Sequence, residues 1–171
     1  EVAPTDIEFE KVTFQYPSGT TPSLNGVSFH LRKGETLGVV GKTGSGKTTL
    51  VKQLLREYKL GEGKILIAGT PLENISLHTI QGWIGYVPQD HILFSRTVQE
   101  NILFGKETAT DIDLQKAIQL SAFEKDLEML PDGLQTLVGE KGVSLSGGQK
   151  QRISIARALI ADPEILILDD S

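Results

Sequence analysis

Gly41-Lys42-Thr43-Gly44-Ser45-Gly46-Lys47-Thr48 sets glycines, a lysine and a hydroxyl at a spacing suited to phosphate chemistry. In the pattern G-x-x-x-x-G-K-[ST], backbone N–H groups wrap an oxyanion and the loop opens a helix whose positive end faces the same charge. The Lys47 ammonium can then reach β- and γ-phosphates, and the Thr48 hydroxyl can ligate Mg²⁺. About a hundred residues on, Leu145-Ser146-Gly147-Gly148-Gln149 repeats these physics. Ser146 can cap a helix, the two glycines allow close approach of a bulky anion, and the helix dipole favours negative charge there. Taken alone, the second turn could equally be an ordinary N-cap with a tight entry. One nucleotide, however, does not need two cradles from one chain. Ile165-Leu166-Ile167-Leu168 reads as a buried strand that delivers Asp169 and Asp170 at its C-terminal edge.

These residues need a frame. Thr36-Leu37-Gly38-Val39-Val40 reads as a buried parallel strand, and Leu50, Val51, Leu54 and Leu55 recur at helical spacing after the loop. Ile7-Glu8-Phe9-Glu10, Val12 to Tyr16, and Leu24 to Leu31 alternate as half-buried strands do. Gly63 to Ile67 and Ile84 to Val87 read as further strands, with Gly69-Thr70-Pro71 as a turn. Thr97-Val98-Gln99-Glu100 forms a capping box, and helices are expected over Asp111–Ser121, Phe123–Leu130 and Gly147–Ile160. The order predicts an α/β fold of the P-loop NTPase type: a RecA-like parallel core sheet, an N-terminal antiparallel β subdomain and an inserted α-helical subdomain. Residues 1–88 with 163–171 would form the ATP-binding core, and 89–162 the helical part.

Composition narrows the function. Seventeen basic against 22 acidic residues give a net charge of −5, which argues against a nucleic-acid face held by bulk charge. The chain has no cysteine, which excludes disulfides and thiolate metal sites. No apolar run approaches the roughly 18 residues that span a bilayer, so this segment is expected to be soluble. His30, His78 and His91 lack metal-ligand spacing and read as surface or structural residues. Lys150, Arg152 and Arg157 read as a solvated or interdomain helix face.

At this point the sequence resembles the nucleotide-binding domain of ABC transporters over essentially its whole length. Leu145 to Gln149 looks like the family's signature motif, Gly41 to Thr48 like its Walker A, and Ile165 to Asp169 like its Walker B. Tyr86-Val87-Pro88-Gln89 resembles the Q-loop, and Phe14-Gln15-Tyr16-Pro17 the adenine-stacking loop. The stretches Phe94 to Ile102 and Thr136 to Gly142 are similar to the exporter branch, although Leu137 stands where that pattern has an acid that contacts the membrane domain.

The resemblance implies ATP and Mg²⁺ as cofactors. Tyr16 would stack on adenine, while Gly41, Lys42, Thr43, Gly44, Ser45, Gly46, Lys47, Thr48 and Thr49 would hold the phosphates. Thr48, Gln89 and Asp169 would serve the metal, and Gln89 the attacking water. Ser146, Gly147, Gly148 and Gln149 would contact the γ-phosphate of ATP held by a second, head-to-tail nucleotide-binding domain. Further partners would be the transmembrane domains of the same transporter, with the unit at the cytoplasmic face of the membrane and no nucleic acid bound. The family's D-loop and switch histidine should follow Ser171, so the segment reads as C-terminally truncated and inactive in isolation.

Asp170 stands where most of the family has glutamate acting on the hydrolytic water. A shorter carboxylate retreats by about 1 Å, a displacement that can cost on the order of 100-fold in rate. The expectation is a site that binds ATP and turns it over slowly, similar to one half of a heterodimeric bacterial exporter. Two other readings compete with it. A soluble ABC-type mechanical ATPase on nucleic acid or ribosomes would call for heptads or a basic face, and a P-loop GTPase or kinase would leave the signature unexplained.

Overall fold

The computed structural model describes residues 3–38 and 47–169, which divide into two compact units, residues 1–83 and 84–171. The expected Walker A glycines Gly41, Gly44 and Gly46, the residues Lys42, Thr43 and Ser45 between them, and Asp170 lie outside the described residues.

In the first unit, strand β1 (Asp6–Phe14) runs antiparallel to β2 (Leu24–Arg32) on one side and to β3 (Glu62–Ile67) on the other. A short β4 (Thr70–Pro71) completes the order β2-β1-β3-β4. The sequence alternation breaks between Phe9 and Val12, and the structure shows why. An extra residue at Lys11, with φ of 49°, bulges the strand so that Ile7, Phe9, Val12 and Phe14 all face inward. Gly63 sits opposite that bulge with φ of 88°, where a Cβ would collide with the carbonyl oxygens of Glu10 and Lys11. Ala68 and Gly69 form the two-residue hairpin turn at φ of 50° and 75°, so Thr70 and Pro71 belong to β4 rather than to the turn.

Helix α1 (Lys47–Leu54) packs Leu54 and the Gln53 side chain inside. Helix α2 (Leu77–Trp83) was not evident from the sequence, being short with one fully buried residue, Ile80. Its start is nonetheless marked by Ser76, whose Oγ accepts from the Thr79 amide at 3.1 Å. The strand expected over Thr36–Val40 differs. Thr36–Gly38 is irregular and exposed, and Val39 and Val40 lie outside the described residues.

In the second unit, β5 (Ile84–Val87) and β6 (Ile165–Leu168) pair parallel, Tyr86 opposite Ile167 and Val87 opposite Leu168. Four helices stand between them in sequence: α3 (Val98–Leu103), α4 (Asp111–Leu120), α5 (Glu124–Met129) and α6 (Gly147–Leu159). Their apolar stripes meet in one core containing Val98, Ile102, Ile118, Phe123, Ile153 and Ala156. Each large side chain buried there contributes about 1.5–3 kcal/mol of transfer free energy. Leu145 belongs to the same core, which fixes the chain immediately ahead of α6. Asp162, at φ of 53°, and Pro163 end the helical run before β6.

Candidate functional site

In the first unit, the ring of Tyr16 lies edge-on to Phe14 and Tyr58, with centroids 5.0 and 5.1 Å away. Its hydroxyl shares a 2.8 Å hydrogen bond with the Thr49 hydroxyl, in the first turn of α1. Lys52, one turn further on, places its ammonium 5.8 Å from the centroids of both Tyr16 and Tyr58. The aromatic ring and the helix that follows the phosphate loop are thus brought together although 33 residues separate them. Thr48 is exposed beside buried Thr49.

In the second unit, Gln89 is exposed in a bend just past β5. Asp169 extends the parallel ladder by one rung, its amide donating to the Val87 carbonyl at 2.9 Å. The Tyr86 hydroxyl donates to Asp169 Oδ2 at 2.9 Å.

The turn at Ser146 opens α6 with a reciprocal cap. Ser146 Oγ accepts from the Gln149 amide at 3.2 Å, and Gln149 Oε1 accepts from the Ser146 amide at 2.9 Å. Ser146 and Gly147 are exposed, and an added Cβ on Gly147 would meet open space. Gly148 instead lies against the Arg152 guanidinium, which grips Asp126 through two bonds of 2.7 and 3.1 Å. That bidentate pair ties α6 to α5 directly behind the turn.

The two exporter-like stretches also meet. The Val98 amide donates to the Thr136 carbonyl and the Val138 amide to the Arg96 carbonyl, each at 3.0 Å. Gly139, at φ of 86°, packs so closely on Phe94 that a Cβ would lie 2.8 Å from its carbonyl oxygen. Leu137 projects from this loop at 45% exposure.

A family model described as ABC transporter matches residues 24–171. The chain belongs to the ABC transporter family. Among relatives of this ABC domain, it is 66% identical over 168 residues to a Bacillus subtilis protein described as a probable multidrug resistance ABC transporter ATP-binding/permease protein, YheI. That match takes in 98% of this chain and 29% of the relative. It is 47% identical over 165 residues to YfiB of the same organism, an uncharacterized ABC transporter ATP-binding protein, covering 96% of the chain and 29% of the relative. A solved structure of a bacterial Atm1-family ABC exporter with ATP bound superposes with a TM-score of 0.84 at 36% identity, over 98% of this chain and 29% of that one. The chain therefore spans about three tenths of the length of these proteins.

Sequence reasoning missed a buried hub in this ABC domain. Asn101 is fully buried. Its Oδ1 accepts from the Phe94 amide at 2.8 Å and from Arg157 Nη2 at 3.1 Å, while its Nδ2 donates to the carbonyls of Phe94 and Thr97 at 3.0 Å. Arg157 also donates to the carbonyls of Asn101 and Ile92 and stacks 5.3 Å from the Phe94 centroid. Burial lowers the pKa of this guanidinium from its usual range. Arg152 and Arg157 are therefore structural cations rather than a solvated face. The available signal was Asn101 itself, a polar residue inside the apolar run of a capped helix.

Mg²⁺ takes one or two carboxylates and completes its shell with phosphates and water. Within the second unit, the Asp169 carboxylate at the end of β6 is an oxygen donor of the hardness that ion takes. Among the described residues no group of three or more acidic, histidine or cysteine side chains forms a cage made of protein alone.

Proposed function

We propose that this chain is the ATP-binding and hydrolysing motor of an ABC exporter, coupling nucleotide-driven pairing of two such domains to movement of a substrate across a membrane. The observation that carries this is the turn at Leu145–Gln149: a helix start exposed at Ser146 and Gly147, closed by an uncharged capping box, on a chain that already has its own phosphate loop. Two cradles on one chain suit a triphosphate held between two chains. The permease portions in the relatives' descriptions favour a membrane partner over a soluble machine acting on nucleic acid or ribosomes.

In this reading Tyr16 stacks on adenine, Gly41 to Thr49 hold the phosphates, and Lys47 bears on the β- and γ-oxygens. Mg²⁺, when bound, neutralises developing phosphate charge; Thr48, Asp169 and Gln89 are the residues that would serve it. Ser146 to Gln149 face the ATP of the partner domain. Residues 1–88 with 163–171 act as the ATP-binding core and 89–162 as the signature subdomain, a division supported by the helical core running from Val98 to Ile160. The domain works at the cytoplasmic face of the membrane, beside transmembrane domains of its own protein. Asp170 makes its own site the slower of a heterodimeric pair, because a positioned base contributes roughly 10² to 10⁴ in rate and this carboxylate is short.

The test is ATP-dependent uptake of an amphipathic dye, together with ATP turnover, in inverted vesicles holding the assembled full-length transporter. Lys47→Ala should reduce uptake at least 100-fold. Asp170→Glu, with the partner's catalytic carboxylate removed, should raise turnover at least 10-fold. Dye uptake indifferent to Lys47 rejects the motor, and turnover indifferent to Asp170→Glu rejects the slow site.

A further inference from the structure

The contact between Tyr86 and Asp169 follows from strand geometry. Tyr86 lies opposite Ile167 in the parallel register, and Asp169 is two residues beyond Ile167, on the same face of the sheet. A phenol is long enough to cover that diagonal, and its hydroxyl donates to Asp169 Oδ2 at 2.9 Å. The backbone of Asp169 is held by the same strand, through its amide bond to the Val87 carbonyl at 2.9 Å. Strand β5 thus fixes both where Asp169 stands and how its carboxylate is turned.

From this geometry we infer that Tyr86 is a positioning residue for the metal-binding carboxylate; the inference rests on the reading of Asp169 as the residue that serves Mg²⁺. An O–H donated to a carboxylate is a charge-assisted bond, and at 2.9 Å this one is long for its kind. It occupies one lone pair of Oδ2 and stops the carboxylate from rotating, so Oδ1 keeps a single direction in which to meet a cation or its water. Without the hydroxyl, Asp169 would sample orientations that its backbone anchor alone does not exclude. Partners that orient a metal's ligands commonly account for 10- to 100-fold in metal affinity, and an exposed phenol belongs at the low end of that range. Tyr86 is 38% exposed.

The experiment is Mn²⁺ titration by electron paramagnetic resonance on the full-length transporter with a non-hydrolysable ATP analogue, alongside binding of the analogue without metal. The site scored is the one whose Mn²⁺ affinity falls in Asp169→Asn. Tyr86→Phe should weaken Mn²⁺ roughly tenfold, leave metal-free binding within twofold, and have no further effect when added to Asp169→Asn. An unchanged Mn²⁺ affinity in Tyr86→Phe, with Asp169→Asn impaired, overturns the inference and leaves the reading of Asp169 standing. Equal losses with and without metal also overturn it, since they mark a merely structural role. An unchanged affinity in Asp169→Asn overturns the reading of Asp169 itself.

Discussion

Helices α3 and α4 begin at carboxylate capping boxes, whereas α6 begins at an amide one. The hydrogen bonds are alike. Glu100 and Thr97 exchange bonds of 3.1 and 3.2 Å, Asp113 and Thr110 bonds of 3.2 and 3.0 Å, and Gln149 and Ser146 bonds of 3.2 and 2.9 Å. What differs is charge. At α3 and α4 a full negative charge sits against the positive end of the helix, and the bonds from the Thr97 and Thr110 amides hold Glu100 and Asp113 below the usual carboxylate range. At α6 the same N–H groups are satisfied and the field of the helix end is left uncancelled. The comparison separates two jobs that a cap usually performs together, satisfying backbone donors and neutralising the dipole. On the proposed reading, only the first is done where a phosphate would be received.

The sharpest way to break this contrast is Gln149→Glu. Acids serve well at this position of a capping box, so thermal unfolding should be unchanged or slightly higher. On the proposed reading the added charge would face the γ-phosphate of the partner's ATP, and like-charge juxtaposition costs several kcal/mol. ATP turnover at the partner's site should fall by about 100-fold or more in the assembled transporter. Turnover within threefold of the parent would mean that the neutrality of the cap is incidental.

A smaller effect sharpens it. Thr97→Ala, Thr110→Ala and Ser146→Ala each remove one capping hydroxyl and should cost about 1 kcal/mol in denaturant unfolding. Of the three, only Ser146→Ala should also slow the partner's site. A comparable slowing by Thr97→Ala would make the difference one of general stability.

The smallest effect is in pH. The folded-state pKa values of Glu100 and Asp113 are depressed, so their contribution is present above the unfolded values, near pH 4, and is lost as pH falls through the folded ones. Glu100→Gln with Asp113→Asn should flatten the acid limb of the stability curve, measured by unfolding midpoints between pH 6 and pH 3. Gln149 adds no slope of its own. An unaltered acid limb in the double variant would remove the electrostatic half of the comparison.

The start of α6 was legible because a cap is a local device: Ser146 and Gln149 are three residues apart and the bond pattern follows from their types. The strand alternation was legible for the same reason, except at Lys11, where a bulge shifts parity without changing composition. Non-local pairings escaped. Nothing adjacent to Arg157 in sequence shows that its guanidinium meets carbonyls 56 and 65 residues away. Tyr86 likewise read as part of a loop motif, because its acceptor lies 83 residues further on. Helix α2 escaped because seven residues with one buried position carry little periodicity.

The guanidinium of Arg157 has a mechanical consequence. It ties the segment just past Gln89 to the far turn of the helix that Ser146 begins, and its bonds to Ile92 and Asn101 share one half-buried cation. A displacement of Ile92 would load the last turn of α6 first, with the glycine pair at the opposite tip of the same rod.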